Sequence, residues 1–146
     1  MIVIQQAFPK DAPTVTALAL QLWPGHDFSE LLAEFTELLQ QPEAAVFLAL
    51  HMEQTVGFAQ CQLRYDYVEG TESSPVGYLE GIYVSEGFRR TGIARQLLRA
   101  CEAWAKEQGC REFASDCELD NLDSLRFHLG VGFSEAARII CFTKLL

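Results

Sequence analysis

The stretch Gly77-Tyr-Leu-Glu-Gly-Ile-Tyr-Val-Ser-Glu-Gly-Phe-Arg-Arg-Thr-Gly-Ile-Ala-Arg-Gln-Leu-Leu98 reads as a buried strand, a tight basic turn and an amphipathic helix. Leu79, Ile82, Tyr83 and Val84 are strand formers, and Gly87 and Gly92 bracket the turn. From Ile93 the apolar residues recur at helical spacing through Leu97, Cys101 and Trp104. A helix that opens straight out of such a turn leaves its first backbone N–H groups without internal partners, all aimed at one spot. Such a spot binds anions, phosphates above all. Here Arg89-Arg90-Thr91-Gly92-Ile93-Ala94 adds basic side chains and residues small enough for a pyrophosphate to approach the backbone. No Gly-Lys-Ser/Thr follows, so this is not a P-loop, and the G-x-G-x-x-G spacing of a dinucleotide site is missing.

Working outward, Gly109 ends the helix, and Glu112 to Asp116 is expected as a strand parallel to the one before it. A short helix over about Leu122 to Leu129 and strands near Phe133 to Ala137 and Ile139 to Leu145 complete the C-terminal side. Upstream, Ile2 to Gln5 opens a strand. Asp11 is placed to cap a helix with the stripe Val15, Leu18 and Leu22, stopped by Pro24-Gly25. A second helix, capped by Asp27 or Ser29, carries Leu31, Leu32, Phe35, Leu38 and Leu39 and ends before Pro42. Strands Ala45 to Met52 and Thr55 to Tyr65 form a hairpin turning at Glu53-Gln54, and Asp66 to Pro75 is a polar insertion.

With 146 residues the chain suits a single domain, 49% hydrophobic and 21% charged as folded proteins are. The absence of a long apolar run or a basic, apolar leader leads us to expect a cytoplasmic protein without membrane contact. Five scattered cysteines without C-x-x-C spacing point to reduced thiols and no metal site. A net charge of −9 argues against nucleic acid and favours a cationic partner.

The basic turn, read as R/Q-x-x-G-x-G/A, and the later segment Asn121-Leu-Asp-Ser-Leu-Arg-Phe-His-Leu-Gly-Val-Gly-Phe133, read as N-x-x-S/A-x-x-x-Y-x-x-x-G-F, resemble the two signature motifs of the GNAT superfamily of N-acetyltransferases. The resemblance implies an α+β fold in the order β-α-α-β-β-β-α-β-α-β-β. Its mixed, mostly antiparallel sheet would carry helices on both faces, with a parallel central strand pair that splays apart. It also implies acetyl-coenzyme A as cosubstrate, held by Ile82, Tyr83 and Val84, by Arg90, Thr91, Gly92, Ile93, Ala94 and Arg95, and by Asn121. Asn121 is also placed to cap a helix. Local stretches sharpen the likeness: Leu22-Trp-Pro-Gly-His26, Arg64-Tyr-Asp-Tyr67, Ser73-Ser-Pro75, Leu79-Glu-Gly-Ile82 and Ala114-Ser-Asp116 resemble the aminoglycoside 6'-N-acetyltransferases of that superfamily. On that resemblance Trp23, His26, Tyr67, Glu80 and Asp116 line the acceptor site, and a homodimer is implied. Relatives place an acid near the position of Ala137, where this chain has Glu135 as its nearest.

Amine acetylation needs a route for the amine proton, a donor for the oxyanion and a thiolate able to leave. Glu80, mid-strand between apolar residues, is either the carboxylate that holds the amine and takes its proton or a carboxylate turned to solvent or to an arginine. The N–H of Ile82 or Tyr83 would face the thioester carbonyl. Asp116 is a second cleft acid or a turn residue. His128 stands where the family pattern has tyrosine, and either protonates the thiolate or simply packs. Acids and flat rings suit a polycationic amino sugar. The sequence reading is an acetyl-coenzyme A-dependent aminoglycoside 6'-N-acetyltransferase working by direct transfer in a ternary complex. It leaves two others open: a GNAT enzyme acetylating a polyamine or amino-sugar metabolite, and a coenzyme A-binding regulatory module without turnover.

Overall fold

A computed structural model describes all residues, 1–146. Strands β1 (Ile2–Gln6), β2 (Ala44–His51), β3 (Gln54–Arg64), β4 (Val76–Val84) and β5 (Phe113–Ala114) form one sheet in sequence order. The first three pairings are antiparallel and β4–β5 is parallel. Helices α1 (Ala12–Leu22) and α2 (Phe28–Leu38) cover one face, burying Val15, Ala19, Leu31 and Phe35 against Val46, Leu48 and Phe58. Helix α3 (Ile93–Glu107) covers the other, where Ile93, Leu97, Leu98, Cys101, Trp104 and Ala105 recur at helical spacing and pack on Ala45, Val56, Ala59 and Leu79. Helix α4 (Leu122–Gly130) lies beyond β5. The expected α+β architecture with helices on both faces and a parallel β4–β5 pair is therefore present.

Local chemistry explains most boundaries. Asp27 caps α2, its carboxylate accepting the Glu30 N–H at 3.1 Å. Asp11 does not cap α1 as expected. Residues Pro9–Asp11 form a short 3-10 turn, and the Asp11 carboxylate accepts instead from the Phe8 N–H at 2.8 Å. The β2–β3 hairpin turns one residue earlier than expected, at Met52-Glu53, which take φ values of 50° and 67°. Two left-handed residues are what a two-residue hairpin with the right twist requires.

The last two expected strands are not formed. From Ser134 to Leu146 the chain has no regular structure, and Ile139, Ile140, Phe142, Leu145 and Leu146 are exposed. Their apolar alternation reads as strand in the sequence, but β-structure needs a hydrogen-bonded neighbour, and these residues find none within the chain.

Strand β4 contains a feature that the sequence reading did not include. Gln60 pairs with Gly81 and Cys61 with Leu79, so Glu80 is an extra residue, a β-bulge. Before it, Leu79 joins the α3-side core and Tyr78 faces away; after it, Ile82 and Val84 pack on the α3 side and Tyr83 on the α1 side. At the bulge both Glu80 and Gly81 address the α1–α2 side: Glu80 lines a hollow with Trp23, just past α1, and with α2 residues, and a Cβ on Gly81 would lie 2.7 Å from the Trp23 ring.

Candidate active site

The bulge sits where β4 and β5 part. Only Gly77–Phe113 and Tyr78–Ala114 pair, so β4 beyond Tyr78 has an open edge. Ser85 N–H donates to the Val56 carbonyl on β3. Strand alternation then turns the backbone of Tyr83 toward β3 and that of Ile82 and Val84 toward the open edge. Arg89 Nε donates to the Val84 carbonyl there at 2.7 Å. Of the two expected donors, Ile82 and not Tyr83 thus presents its N–H to the gap between the strands.

At one end of this edge stands the basic turn. Gly92 precedes α3 at φ 85° and supplies no side-chain cap, so the N–H groups of Ile93, Ala94 and Arg95 at the helix start lack internal acceptors. A Cβ at Gly92 would meet no protein atom within 4 Å, which makes the space over the turn an open cradle. Arg90 is exposed at φ 63°. Ile93 is buried and offers only its backbone; Thr91 donates to the Phe88 carbonyl at 2.6 Å; Arg95 reaches the Gly130 carbonyl at 3.2 Å, tying α3 to α4. The donor set fits a pyrophosphate. Asn121 caps α4 through its Oδ1, accepting from the Ser124 N–H at 3.1 Å, and keeps its amide NH2 for another acceptor.

On the opposite face of the sheet is a hollow of about 290 Å³. Trp23, His26 and Glu80 line it, together with Glu34 of α2 and Gln60 of β3. Trp23 serves both as packing, edge-on to Phe58 at 6.3 Å between ring centres, and as a wall. Glu80 is not alone there: Arg64 Nη2 lies 2.9 Å from its Oε1, and Nε 3.2 Å from its Oε2. The arginine also stacks on Tyr78, 3.5 Å from guanidinium carbon to ring centre. Tyr78 in turn donates its hydroxyl to Asp116 Oδ2. The two acids expected in one cleft are therefore linked through Arg64 and Tyr78. Burial, then the bond to Asp116, pushes the Tyr78 hydroxyl well above its ordinary pKa. Burial works to lower the Arg64 pKa, but the bond and charge of Glu80 more than offset it and leave it raised. Because Arg64 is 40% exposed, the ion pair adds only roughly 1 kcal/mol or less to stability. Its effect is to aim the Glu80 carboxylate.

Tyr67 is 75% exposed on the 65–75 loop and does not join the hollow. That loop is anchored by Glu112, whose Oε1 accepts from the backbone N–H groups of Glu72 and Ser73 at 2.9 and 2.8 Å. The Ser73 hydroxyl, followed by those N–H groups, holds the Glu112 carboxyl below its usual range. Glu135 is taken by Arg138 at 2.8 Å. Sequence reasoning missed Arg64, Tyr78 and Glu34 as members of this face.

Residues 12–133 match the acetyltransferase (GNAT) family. The chain belongs to that family. As a GNAT acetyltransferase, it uses acetyl-coenzyme A. The chain is 46% identical over 140 residues to the aminoglycoside N(6')-acetyltransferase type 1 of Stenotrophomonas maltophilia, covering 95% of this chain and 90% of that protein. It is 46% identical over 131 residues to the enzyme of the same name from Serratia marcescens, covering 89% and 90%. Among solved structures, AAC(6')-Iy in complex with the bisubstrate analog CoA-S-monomethyl-acetylneamine superposes with a TM-score of 0.96 at 40% identity, covering 100% of this chain and 99% of that one. AAC(6')-Ih from Acinetobacter baumannii gives 0.93 at 37% identity, covering 100% and 99%. No helix of this GNAT chain is long and apolar enough to cross a membrane.

Proposed function

We propose that this protein transfers the acetyl group of acetyl-coenzyme A to the 6'-amine of aminoglycosides, conferring resistance, by direct attack within a ternary complex. The observation that carries this reading is the position of Glu80: on a bulge, facing an acid-lined hollow, two residues before Ile82, whose N–H faces the open edge. A neutral amine held by Glu80 attacks the thioester carbon. The new N–C bond forms, the Ile82 N–H stabilises the oxyanion, and the amine proton passes to the Glu80 carboxylate directly or through water. A carboxylate has about four acceptor positions, so Glu80 can receive the amine while Arg64 still holds it. Glu34 and Asp116 meet other ammonium groups of the acceptor, and Trp23 and His26 form its wall.

Direct transfer agrees with the state of the thiols: Cys117 and Cys141 are exposed, but neither has a histidine hydrogen-bonded to it that would activate it. Cys61, Cys101 and Cys110 are buried, and the latter two are pushed up in pKa, Cys101 by its bond to Cys61 and by burial, Cys110 by burial. A protonated, buried thiol is a poor nucleophile. Mass spectrometry of products from matched 6'-amino and 6'-hydroxyl aminoglycosides tests the assignment. The expected result is one acetyl group on the 6'-nitrogen of the first and none at that position of the second. Acetylation of a linear polyamine with neither antibiotic modified would overturn it in favour of a different amine.

The whole chain acts as one domain in the cytoplasm, where acetyl-coenzyme A is available, and it acts as a homodimer. Ile139, Ile140, Phe142, Leu145 and Leu146 lie 76% or more exposed in a segment whose alternation suits a strand. A second copy supplies the missing strand neighbour. Sedimentation equilibrium should give twice the mass of one chain for the full protein and the single mass for a chain ending at Ala137. A full chain that sediments as a monomer at micromolar concentration would remove this role for the tail.

A further inference from the structure

Ser115 directly follows β5, at the point where β5 leaves β4. Its Oγ lies 2.8 Å from His128 Nε2 on α4 and 3.4 Å from the carbonyl oxygen of Leu79 on β4. The other ring nitrogen, Nδ1, is 2.7 Å from the Ser124 carbonyl. A carbonyl oxygen only accepts, so Nδ1 carries a proton, and in the neutral ring Nε2 is an acceptor to which Ser115 donates. The imidazole is fixed between Phe127 and Phe133, at 5.6 and 5.1 Å between ring centres. Charged groups on the surrounding elements are engaged elsewhere: Arg126 with Asp123, Arg95 with the Gly130 carbonyl, and Asp116 with Tyr78. A hydroxyl, an imidazole of fixed tautomer and an orienting carbonyl thus run in line from α4 to the gap between the strands. Attack by the amine needs nothing from them.

We propose that Ser115 is the residue that protonates the departing thiolate, with His128 acting through it. The inference rests on the acetyl-transfer reading above, which puts the thioester in the gap that Ser115 borders. A serine has one hydroxyl proton. With His128 neutral, that proton lies on the hydrogen bond to Nε2. With His128 protonated, Nε2–H donates to Oγ, and the serine proton must turn to the gap, where the only acceptor the fold supplies is the distant Leu79 carbonyl. A thiolate formed there is the better acceptor.

As the tetrahedral intermediate collapses, the C–S bond breaks and its electron pair goes to sulfur. The Ser115 proton moves to sulfur, and the Nε2 proton of the imidazolium moves to Ser115 Oγ. The products are free coenzyme thiol, an intact serine and neutral His128 still bonded to the Ser124 carbonyl, the tautomer that the heavy-atom contacts assign. Water returns a proton to His128 before the next turnover, matching the proton that the amine released through Glu80. Ser115 is then a catalytic residue, and His128 a positioning and proton-supplying one behind it.

The test is single-turnover acetyl transfer to a 6'-amino aminoglycoside by the full chain and by Ser115→Ala, Ser115→Thr, His128→Gln and the Ser115→Ala/His128→Gln double variant. Near-ultraviolet circular dichroism serves as the check on folding. Ser115→Ala and His128→Gln should each slow transfer by about 10- to 100-fold, within or just below the usual range for general acid catalysis, with the affinity for acetyl-coenzyme A changed by no more than about twofold. The double variant should be no slower than either single one, because the two act as a unit. Ser115→Thr should retain most of the rate, since it keeps the hydroxyl. A bowed proton inventory in mixed light and heavy water, linear in Ser115→Ala, marks the two protons in flight. Ser115→Ala transferring at the wild-type rate, losses that multiply in the double variant, or Ser115→Thr as slow as Ser115→Ala would each overturn the inference while leaving the enzyme's activity standing. Wild-type protein that acetylates no amine would instead overturn the function on which it rests.

Discussion

Glu80→Gln is expected to lower kcat/KM for the aminoglycoside by about 10²- to 10³-fold, the scale of a lost general base together with its charge on the bound ammonium. The amide keeps the shape of the carboxylate and one acceptor oxygen, but it takes no proton. Arg64 would lose its bidentate partner; at 40% exposure it turns to water at little cost, so the fold should survive. Steady-state rates at several pH values, with coenzyme affinity measured separately by calorimetry, check the result. An undiminished kcat/KM near neutral pH would move the base to another group, with Asp116, connected through Tyr78, the nearest candidate in the same network.

The second large effect is expected at a residue without a side chain. Gly81→Ala would put a Cβ 2.7 Å from Cζ2 and Cη2 of Trp23 and 3.2 Å from Cδ2 of Leu22, closer than the indole can tolerate. The ring must shift, and overpacking of this kind costs roughly 1–3 kcal/mol. The KM for the acceptor should rise about 10-fold, because displacing a wall of the hollow by even about 1 Å disturbs alignment. Coenzyme affinity should be unchanged, because Trp23 and Leu22 lie on the face of the sheet opposite α3 and its basic turn. Thermal unfolding and the two separate KM values test this together. A variant with normal acceptor KM would mean that Trp23 packs without contacting substrate.

How much of this was legible in the sequence depends on the range of the interaction. The Gly77–Leu98 pattern specifies strand, turn and helix through local rules, and all three are found, with the uncapped Gly92 where the anion site was expected. Glu80 was identifiable because a lone acid among strand formers is costly. Its partner was not, since Arg64 and Glu80 meet only through the β3–β4 register, and that register depends on the bulge. A signal for the bulge was present: Gly81 inside an otherwise β-branched and aromatic run marks either a bulge or a close approach, and here it marks both. Glu34 was hidden because on sequence it belongs to the polar face of an ordinary amphipathic helix. The C-terminal strands were overread for a different reason. Alternation reports that a segment suits a sheet, but not whether the chain itself supplies the neighbour.

The bulge also sets which mutations can remodel this protein. Substitutions around the hollow change one contact at a time and leave the ladder intact. Losing a single residue at position 80 or 81 is different in kind: it would restore a regular β3–β4 ladder and leave the flanking residues on the faces they already occupy, because Glu80 and Gly81 share one face opposite Gln60. Ile82 and Val84 would keep their core positions on the α3 side, and what is lost is one of the two residues on the other face, either the Glu80 carboxylate or the glycine against which the Trp23 ring packs. Altered substrate range in this protein should therefore arise by replacement at the rim of the hollow, whereas shortening the Leu79–Ile82 segment removes either the carboxylate or the glycine that seats the indole.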